Sequence, residues 1–559
     1  MERHDAIALA TGPNSPWELQ DVDVRGSQQK WFVNGPQSLR ELYETNLSDD
    51  PFYVFQEERY TFKEIYQSAS NLAFHMRKDL GVKAGDRVAI AMRNYPEWPI
   101  ALEAITSLGA IAVAINAWWQ ADEIEYALDL TGTSVVIADQ DRIERISQIS
   151  SLSRLNVIAV RDEGSKIGSP IGPLMQGEHQ MPPADIAADD DAVILFTSGS
   201  TGYPKGSVST QRNILAALLS WELDFVAMTM ISSGASIDED EVRKASQSQK
   251  TALLAMPLFH VNGLHAVLLS AFRTQRKIVG MFKWDAEKAA DLIEAESVAT
   301  IVGTPAMTGD LIEYVRRSGR TLPSLQSAGG GGAARATSQV EGISTLLKNA
   351  APFTGWGMTE TNSIGTGIYG KDYQEHPSSS GRCSMVLEIG TIDSEGALQP
   401  RGTRGELVIR GTSVIHGYWN RPDANQESFI DGWFRTGDIA YIDDEGYLFI
   451  VDRLKQLIIR GGENIGCGEV EDALLDHPNI IEASVYGVPD ERLGEAVAAS
   501  VFTDSPIEVS DVTDFLESRL AKFKIPQFLF RTDSQLPRIA SGKIDKKVLR
   551  SAHIDQLGL

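Results

Sequence analysis

The stretch A-V-I-L-F-T-S-G-S-T-G-Y-P-K-G, from Ala192 to Gly206, decides how the chain is read. An apolar run, Ala192 to Phe196, feeds straight into ten residues rich in glycine and hydroxyl side chains. A strand followed by such a loop is a phosphate cradle. Gly199, Gly202 and Gly206 let backbone N–H groups curl around an anion, Thr197, Ser198, Ser200 and Thr201 add donors, and Lys205 adds a cation. The pattern departs from a Walker loop, because Tyr203 and Pro204 separate Gly202 from Lys205 and no hydroxyl follows the lysine. A plain Gly/Ser turn is the competing reading; the preceding strand and the compact donor set weigh against it.

Around this loop the chain is long enough, at 559 residues, for two or more cores. Lys+Arg 51 against Asp+Glu 76 gives a net charge of −25, which disfavours nonspecific binding to nucleic acid or to anionic membranes. An anionic ligand must therefore be held locally. The two cysteines, Cys383 and Cys467, are far apart and form no metal-like cluster, as expected of structural thiols in a reducing cytoplasm. The N-terminal residues lack the apolar core of a leader, and no eighteen uncharged apolar residues run together, so a soluble protein without a transmembrane segment is expected.

Upstream and downstream of the loop, β-branched runs at 87–92, 110–116, 134–139, 156–160, 251–256 and 299–302 alternate with helical patterns, which signals layered α/β structure. One helix is sharply marked: Thr61 and Glu64 make a capping box, Ile65, Ala69, Leu72 and Met76 an apolar stripe, and Gly81 a stop. The polar stretch 231–250 reads as an exposed insertion, and no internal repeat is found. After about residue 450 the texture changes to a small mixed unit, with strands expected at 447–451, 481–485 and 496–502 and helices at 469–477 and 512–523. The fold expected is thus α/β: a large N-terminal domain of layered α/β subdomains, residues 1–452, and a smaller mobile α+β lid, residues 453–559. The junction is the charged turn D-R-L-K-Q, Asp452 to Gln456, which suits rotation better than a loose tether does.

Four further segments join the loop: G-W-G-M-T-E (Gly355 to Glu360), F-R-T-G-D (Phe434 to Asp438), D-R-L-K-Q, and P-R-I-A-S-G-K-I (Pro537 to Ile544). With L-F-H (Leu258 to His260) and the glycine run Gly329 to Gly332, the chain resembles the adenylate-forming superfamily over roughly residues 50 to 550. That family includes acyl-CoA synthetases, firefly-type luciferases and the adenylation domains of nonribosomal peptide synthetases.

The resemblance implies ATP and coenzyme A as co-substrates and Mg2+ as cofactor. Residues Thr197 to Gly202 and Lys205 would follow the β- and γ-phosphates and the departing pyrophosphate. Glu360 would ligate magnesium, because a hard cation seeks carboxylate and phosphate oxygens, and Thr359 would bind the α-phosphate. Trp356 is expected to stack on adenine, beside Gly357, with Gly331, Gly332 and Ala333 on the other side of the ring. Asp438 would accept hydrogen bonds from the ribose hydroxyls, and Arg453 would support the sugar or phosphate; each also reads as an ordinary ion-pair partner. Lys543 is the expected catalytic lysine, set between the attacking carboxylate and the phosphorus to reduce the repulsion of two anions. Lys455 is the implied hinge, about which the lid turns to withdraw Lys543 and bring in R-G-G-E-N-I, whose Gly461, Gly462 and Glu463 would face the pantetheine arm. Nothing in the sequence marks the nucleotide end of coenzyme A.

For the acid, the resemblance implies His260 as the gate of the pocket, with Asn262, Gly263, Gly357 and Gly365 along the path. Acetate-type members carry a tryptophan where this chain has Gly357, so an open pocket and an acid bulkier than propionate are expected, a medium- or long-chain fatty acid or an aryl acid. Trp118 and Trp119 read as packing residues. The reaction expected is AMP-forming acyl-CoA synthesis on a small carboxylic acid. A ligase loading a carrier protein, a noncatalytic nucleotide-binding homologue and a luciferase-like oxygenase are the alternatives. The oligomeric state stays open, a homodimer being one option.

Overall fold

Strands that are apolar along their whole length must be covered on both faces, which is why they assemble as parallel sheets between helices. In the computed structural model of the chain, a seven-stranded sheet has at its centre Ile111–Ala114, Arg87–Ala91, Val135–Asp139 and Asn156–Val160, all parallel. Asp191–Thr197 lies parallel beside Ile111–Ala114, and Lys205–Thr210 closes that edge antiparallel to it. A nine-stranded sheet contains, among others, Thr366–Tyr369, Ala351–Trp356, Ser327–Gly329, Thr300–Val302, Thr251–Leu254 and Lys277–Gly280. The structure describes every residue except Met1, Glu163, Ser165, 198–203, 234–250, 333–334, Ala336, 455–456, 461–462, Asp504, Ser518 and 540–542.

The main core lies between the two sheets, where Val88, Ile90, Ala112 and Ala114 of one meet Leu254 and Ile278 of the other through the helices Phe62–Lys78, Glu97–Ser107 and Gln211–Ser233. The first of these helices has the expected capping box, Thr61 accepting from the Glu64 amide and Glu64 from the Thr61 amide. Gln211–Ser233 carries through the first three residues of the expected insertion, while 234–250 lies outside the described residues. By length and composition the span Gln211–Ile231 could cross a membrane, but it carries Glu222 and Asp224, and 61% of its most apolar window is buried. Its burial is completed by the N-terminus. The helix Arg3–Ala10 packs on it, with Arg3 paired to Asp224 at 2.9 Å, and the hairpin Leu19–Val24/Ser27–Phe32 offers Trp31 beneath Arg212 at 4.8 Å.

A third sheet, Leu387–Ile392, Gly405–Gly411, Trp433–Ile442 and Leu448–Arg453, leads to the C-terminal unit. That unit has a separate core around Ile458, Val470, Leu474, Val485, Val497 and Val501. Its sheet pairs Glu482–Asp490, Gly494–Phe502 and Phe528–Thr532, flanked by the helices Cys467–Leu475, Val509–Glu517 and Lys546–Leu557. The helix expected at 512–523 starts earlier and stops at Glu517, with a 3-10 turn at Lys522–Lys524, because only Val512 and Leu516 of its apolar face are buried. At the junction, Asp452 accepts from the amides of Cys467 and Gly468, so a residue of the third sheet caps the first helix of the C-terminal unit.

Candidate functional site

The phosphate loop is flanked by an antiparallel strand pair. Thr197 and Lys205 are directly opposed partners of the antiparallel pair, so the loop starts and ends at one place on the sheet edge. Ser198, Gly199, Ser200, Thr201 and Gly202 lie outside the described residues. The Lys205 ammonium sits 4.9 Å from the ring of Tyr418, and the Tyr418 hydroxyl donates to Glu360 Oε1 at 2.8 Å. Tyr418 is held there because it bridges to Ser207 while the Trp419 amide donates to the Gly206 carbonyl at 2.8 Å. Burial pushes the Glu360 carboxyl up, opposed by Tyr418, Arg453 and Lys205. A divalent cation fits this carboxylate, because it would relieve the charge that burial has desolvated.

Thr359 and Glu360 share one 3-10 turn, Thr359–Thr361, which follows the strand ending at Trp356. Asn362 and Ser363 come next, at φ 58° and 69°. Trp356 donates through Nε1 to Asp438 Oδ2 at 2.8 Å, and Arg453 pairs with Asp438 Oδ1 at 2.6 Å. Asp438 and Arg453 are opposed across adjacent strands, which fixes this pair. Only 2% of Asp438 is exposed; burial raises its pKa, and Arg453, Trp356 and Lys543 counter the rise. The aromatic expected on adenine and the carboxylate expected on ribose are therefore already bonded to one another.

Lys543 enters the same cleft from the C-terminal unit. Its turn is closed by Ile539 N–H donating to the Lys543 carbonyl at 2.8 Å and anchored by the Arg538–Glu482 ion pair at 2.5 Å. Its Cε lies 3.9 Å from the place a side chain on Gly332 would take, and Asn262 Nδ2 is 3.5 Å from that same point. As a whole residue Lys543 is exposed, yet crowding of its ammonium and the charge of Arg453 lower its pKa, with Asp438 opposing. His260 feels the same cation: burial, then Lys543, brings its imidazole down to about 4, so it is neutral at pH 7, and its Nε2 has no partner. Asn262 accepts from Ser363 Oγ and opens a π-helix, Asn262–Leu269, so the acid-side wall is bonded to the turn that carries Glu360.

The glycines act through close approach. A Cβ on Gly331 would stand 2.6 Å from the Gly355 carbonyl, one on Gly365 2.5 Å from the Trp356 ring, and one on Gly263 2.3 Å from the Pro257 carbonyl. A Cβ on Gly357 would meet the Ser363 carbonyl at 2.5 Å, so in this backbone the position admits only glycine. Gly332, at φ 95°, takes a backbone conformation that suits glycine. Ala333, Lys455, Gly461 and Gly462 lie outside the described residues, and Glu463 sits in a short strand paired with Arg460.

Where the C-terminal unit meets the body, a cavity of about 270 Å³ is lined by Arg93, Trp118, Phe259, Phe282, Lys283 and Ile539, among others. The Arg93 guanidinium lies 4.6 Å from the Trp118 ring and 4.8 Å from that of Phe282. Trp119 packs on Phe196 as expected, at 5.2 Å, whereas Trp118 is also a cavity wall. Neither Arg93 nor Tyr418 stands out in the sequence; for Tyr418 the available signal is its place in H-G-Y-W-N, His416 to Asn420, an aromatic after a glycine.

Residues 42–419 match the family model of AMP-binding enzymes, and residues 469–543 match that of the AMP-binding enzyme C-terminal domain. The chain is 33% identical over 481 residues, covering 85% of this chain and 89% of the other, to long-chain-fatty-acid–CoA ligase FadD13 of Mycobacterium tuberculosis. It is 32% identical over 493 residues to feruloyl-CoA synthase of an Amycolatopsis species, covering 88% and 93%. The o-succinylbenzoate coenzyme A synthetase MenE of Bacillus subtilis, solved in complex with ATP and magnesium ion, superposes with a TM-score of 0.74 at 28% identity, covering 92% of this chain and 98% of that one.

Proposed function

Because the chain belongs to the family of AMP-binding enzymes and is an AMP-forming acid–thiol ligase using ATP, Mg2+ and coenzyme A, we propose a specific substrate class and division of labour. The substrate is a medium- or long-chain fatty acid or an aryl acid, activated to acyl-AMP with release of pyrophosphate and then transferred to coenzyme A with release of AMP. Family members named for a long-chain fatty acid and for ferulate support an extended or aromatic acid.

The observation that carries the reading is Lys543 in the cleft, beside Gly332 and within electrostatic reach of His260, Asp438 and Arg453. An acid seated against Asn262 has its carboxylate oxygen brought toward the α-phosphorus. Lys543 offsets the charge of both anions as the new P–O bond forms and the bond to pyrophosphate breaks. Glu360 would hold Mg2+, which supplies charge neutralisation on the phosphate oxygens. Neutral His260 shields the acyl carbon without adding a competing cation. The lid, residues 453–559, then pivots at Lys455, and the thiol attacks the acyl carbon while AMP leaves. We assign the phosphorylated end of coenzyme A to the Arg93 cavity, where a guanidinium held beside two aromatic rings would pair with phosphate oxygens. Two unbridged cysteines support a cytoplasmic setting.

The test is a panel of acids from acetate to stearate with cinnamates and benzoates, assayed for pyrophosphate release and for coenzyme A-dependent AMP release. Extended or aromatic acids should exceed acetate by at least tenfold with both products formed. Best activity on acetate, or AMP release indifferent to coenzyme A, would remove the reading.

A further inference from the structure

The cavity where the C-terminal unit meets the body shares a corner with the segment that carries His260. Arg93 and Asn94 both line it, and so do Trp118 and Phe259. Asn94 Nδ2 donates to the Met256 carbonyl at 3.0 Å and its Oδ1 accepts from the Leu258 amide at 3.0 Å, so the strand end leading to His260 is pinned to that corner. The corner itself is held by the Arg93 amide, which donates to Asp139 Oδ2 at 3.1 Å, and by the Tyr53 hydroxyl, which donates to the Asn94 carbonyl at 3.0 Å. Main chain is thereby fixed in both segments. A shift imposed on the Arg93 guanidinium passes instead to the side chains packed against it.

Those side chains form an unbroken series of rings. The Arg93 guanidinium lies 4.6 Å from the Trp118 ring, Trp118 meets Phe259 edge-on at 4.8 Å, and Phe259 meets the His260 imidazole at 4.7 Å. The cavity leaves Trp118 room to move, and Phe259, 3% exposed, hands that movement on to its neighbour. His260 Nε2 is sealed from solvent and makes no hydrogen bond. With no bond to hold the ring at that nitrogen, its orientation follows what packs on it.

We propose that Trp118 is a positioning residue for the thioester step: filling of the Arg93 cavity by the phosphorylated end of coenzyme A draws the guanidinium toward phosphate, and the Trp118–Phe259 pair passes the displacement to His260, turning the imidazole off the acyl carbon. This rests on the ligase reading and on the cavity assignment above, and adds an order of events to them. The phosphorylated end docks first, and the gate yields before the thiol arrives. A ligand shifts a two-state group only by favouring one of its states, which a phosphate does by engaging Arg93 in the displaced position. An acceptor with the same thiol but without that end meets a closed gate.

The experiment starts from presynthesised decanoyl-AMP, or cinnamoyl-AMP where the acid panel favours aryl acids, and reads AMP release with pantetheine as acceptor. The pantetheine sulfur bonds to the acyl carbon, the C–O bond to phosphate breaks with its electrons leaving on AMP, and the thiol proton passes to solvent. The adenosine bisphosphate half of coenzyme A, which carries no thiol, is then added to fill the cavity. In the wild type it should raise kcat with pantetheine about tenfold. Trp118→Leu should cut that activation below about twofold, while Trp118→Phe, which keeps a ring between Arg93 and Phe259, should retain about threefold or more. Should Trp118→Leu fail to fold, Phe259→Leu takes its place with the same expected loss. A role for Trp118 in packing alone would slow the reaction with and without the bisphosphate and leave their ratio as it is. That unchanged ratio, or activation of Arg93→Met as strong as that of the wild type, overturns the relay. A wild type that turns over coenzyme A but does not respond to the bisphosphate sinks the relay alone, whereas no AMP release with coenzyme A sinks the ligase reading beneath it.

Discussion

At the proposed nucleotide end of the cleft Trp356, Asp438 and Arg453 bond one another and Tyr418 bonds Glu360, whereas at the proposed acid end His260 Nε2 is buried without a partner. The first set holds its geometry before any ligand arrives, so little reorganisation accompanies the reaction. The imidazole of His260 is left incomplete, so one cleft holds a preset group and an unpartnered one side by side.

The comparison breaks most visibly at Lys543, which reaches the cleft from the C-terminal unit. Lys543→Ala should lower adenylate formation about a thousandfold while largely sparing thioester formation from presynthesised acyl-AMP, and Lys455→Pro should do the reverse. Equal loss in both steps for both variants would mean that the two half-reactions do not divide as described. Asp438→Ala leaves Trp356 Nε1 and Arg453 without their acceptor, and the KM for ATP should rise between about tenfold and a hundredfold, the worth of one or two charge-assisted hydrogen bonds. An unchanged KM would show that this end is not preset for the nucleotide.

Tyr418→Phe removes one hydrogen bond from a buried carboxylate and should cost about tenfold in kcat/KM. Because Tyr418 holds the Glu360 pKa down against burial, its loss raises that pKa, and the acid limb of the pH–rate profile should move to higher pH. A limb that stays put or moves down would detach Glu360 from the rate. Glu103 supplies the control outside the cleft: it is 1% exposed, both its oxygens lack partners, and burial raises its pKa far above the usual carboxylate value. No ligand completes it, so Glu103→Met should stabilise the fold by roughly 1–3 kcal/mol with kcat/KM unchanged. A carboxyl with a raised folded-state pKa contributes fully below its unfolded value near 4 and loses ground as pH climbs through the folded value. The advantage of the variant in apparent melting temperature should therefore grow from about pH 5 to about pH 8. A shrinking advantage would contradict the burial argument.

Local chemistry was legible from the chain. The capping box at Thr61 and the strand at 156–160 appear as expected, because each is written in adjacent residues. The five segments in order were enough to indicate the family, and the matched family models take in the phosphate loop, G-W-G-M-T-E and the segment that reaches Lys543. What escaped was set by contacts across distance. Tyr418 meets Glu360 from 58 positions away and Trp356 meets Asp438 from 82, and no local pattern encodes either. The close approach of Ser363 and Ile364 to Gly357 was hidden for the same reason, since it depends on the chain turning back at two left-handed residues. The N-terminal clasp on Gln211–Ser233 was equally silent in sequence, being a matter of which surfaces remained to be covered.

The cap that Asp452 places on the helix Cys467–Leu475 fastens the C-terminal unit to the third sheet. Breaking it would strip two amides from a carboxylate that burial has already made reluctant to meet water alone. A rotation of that unit of the kind proposed above would therefore have to undo a clasp set away from the reacting atoms.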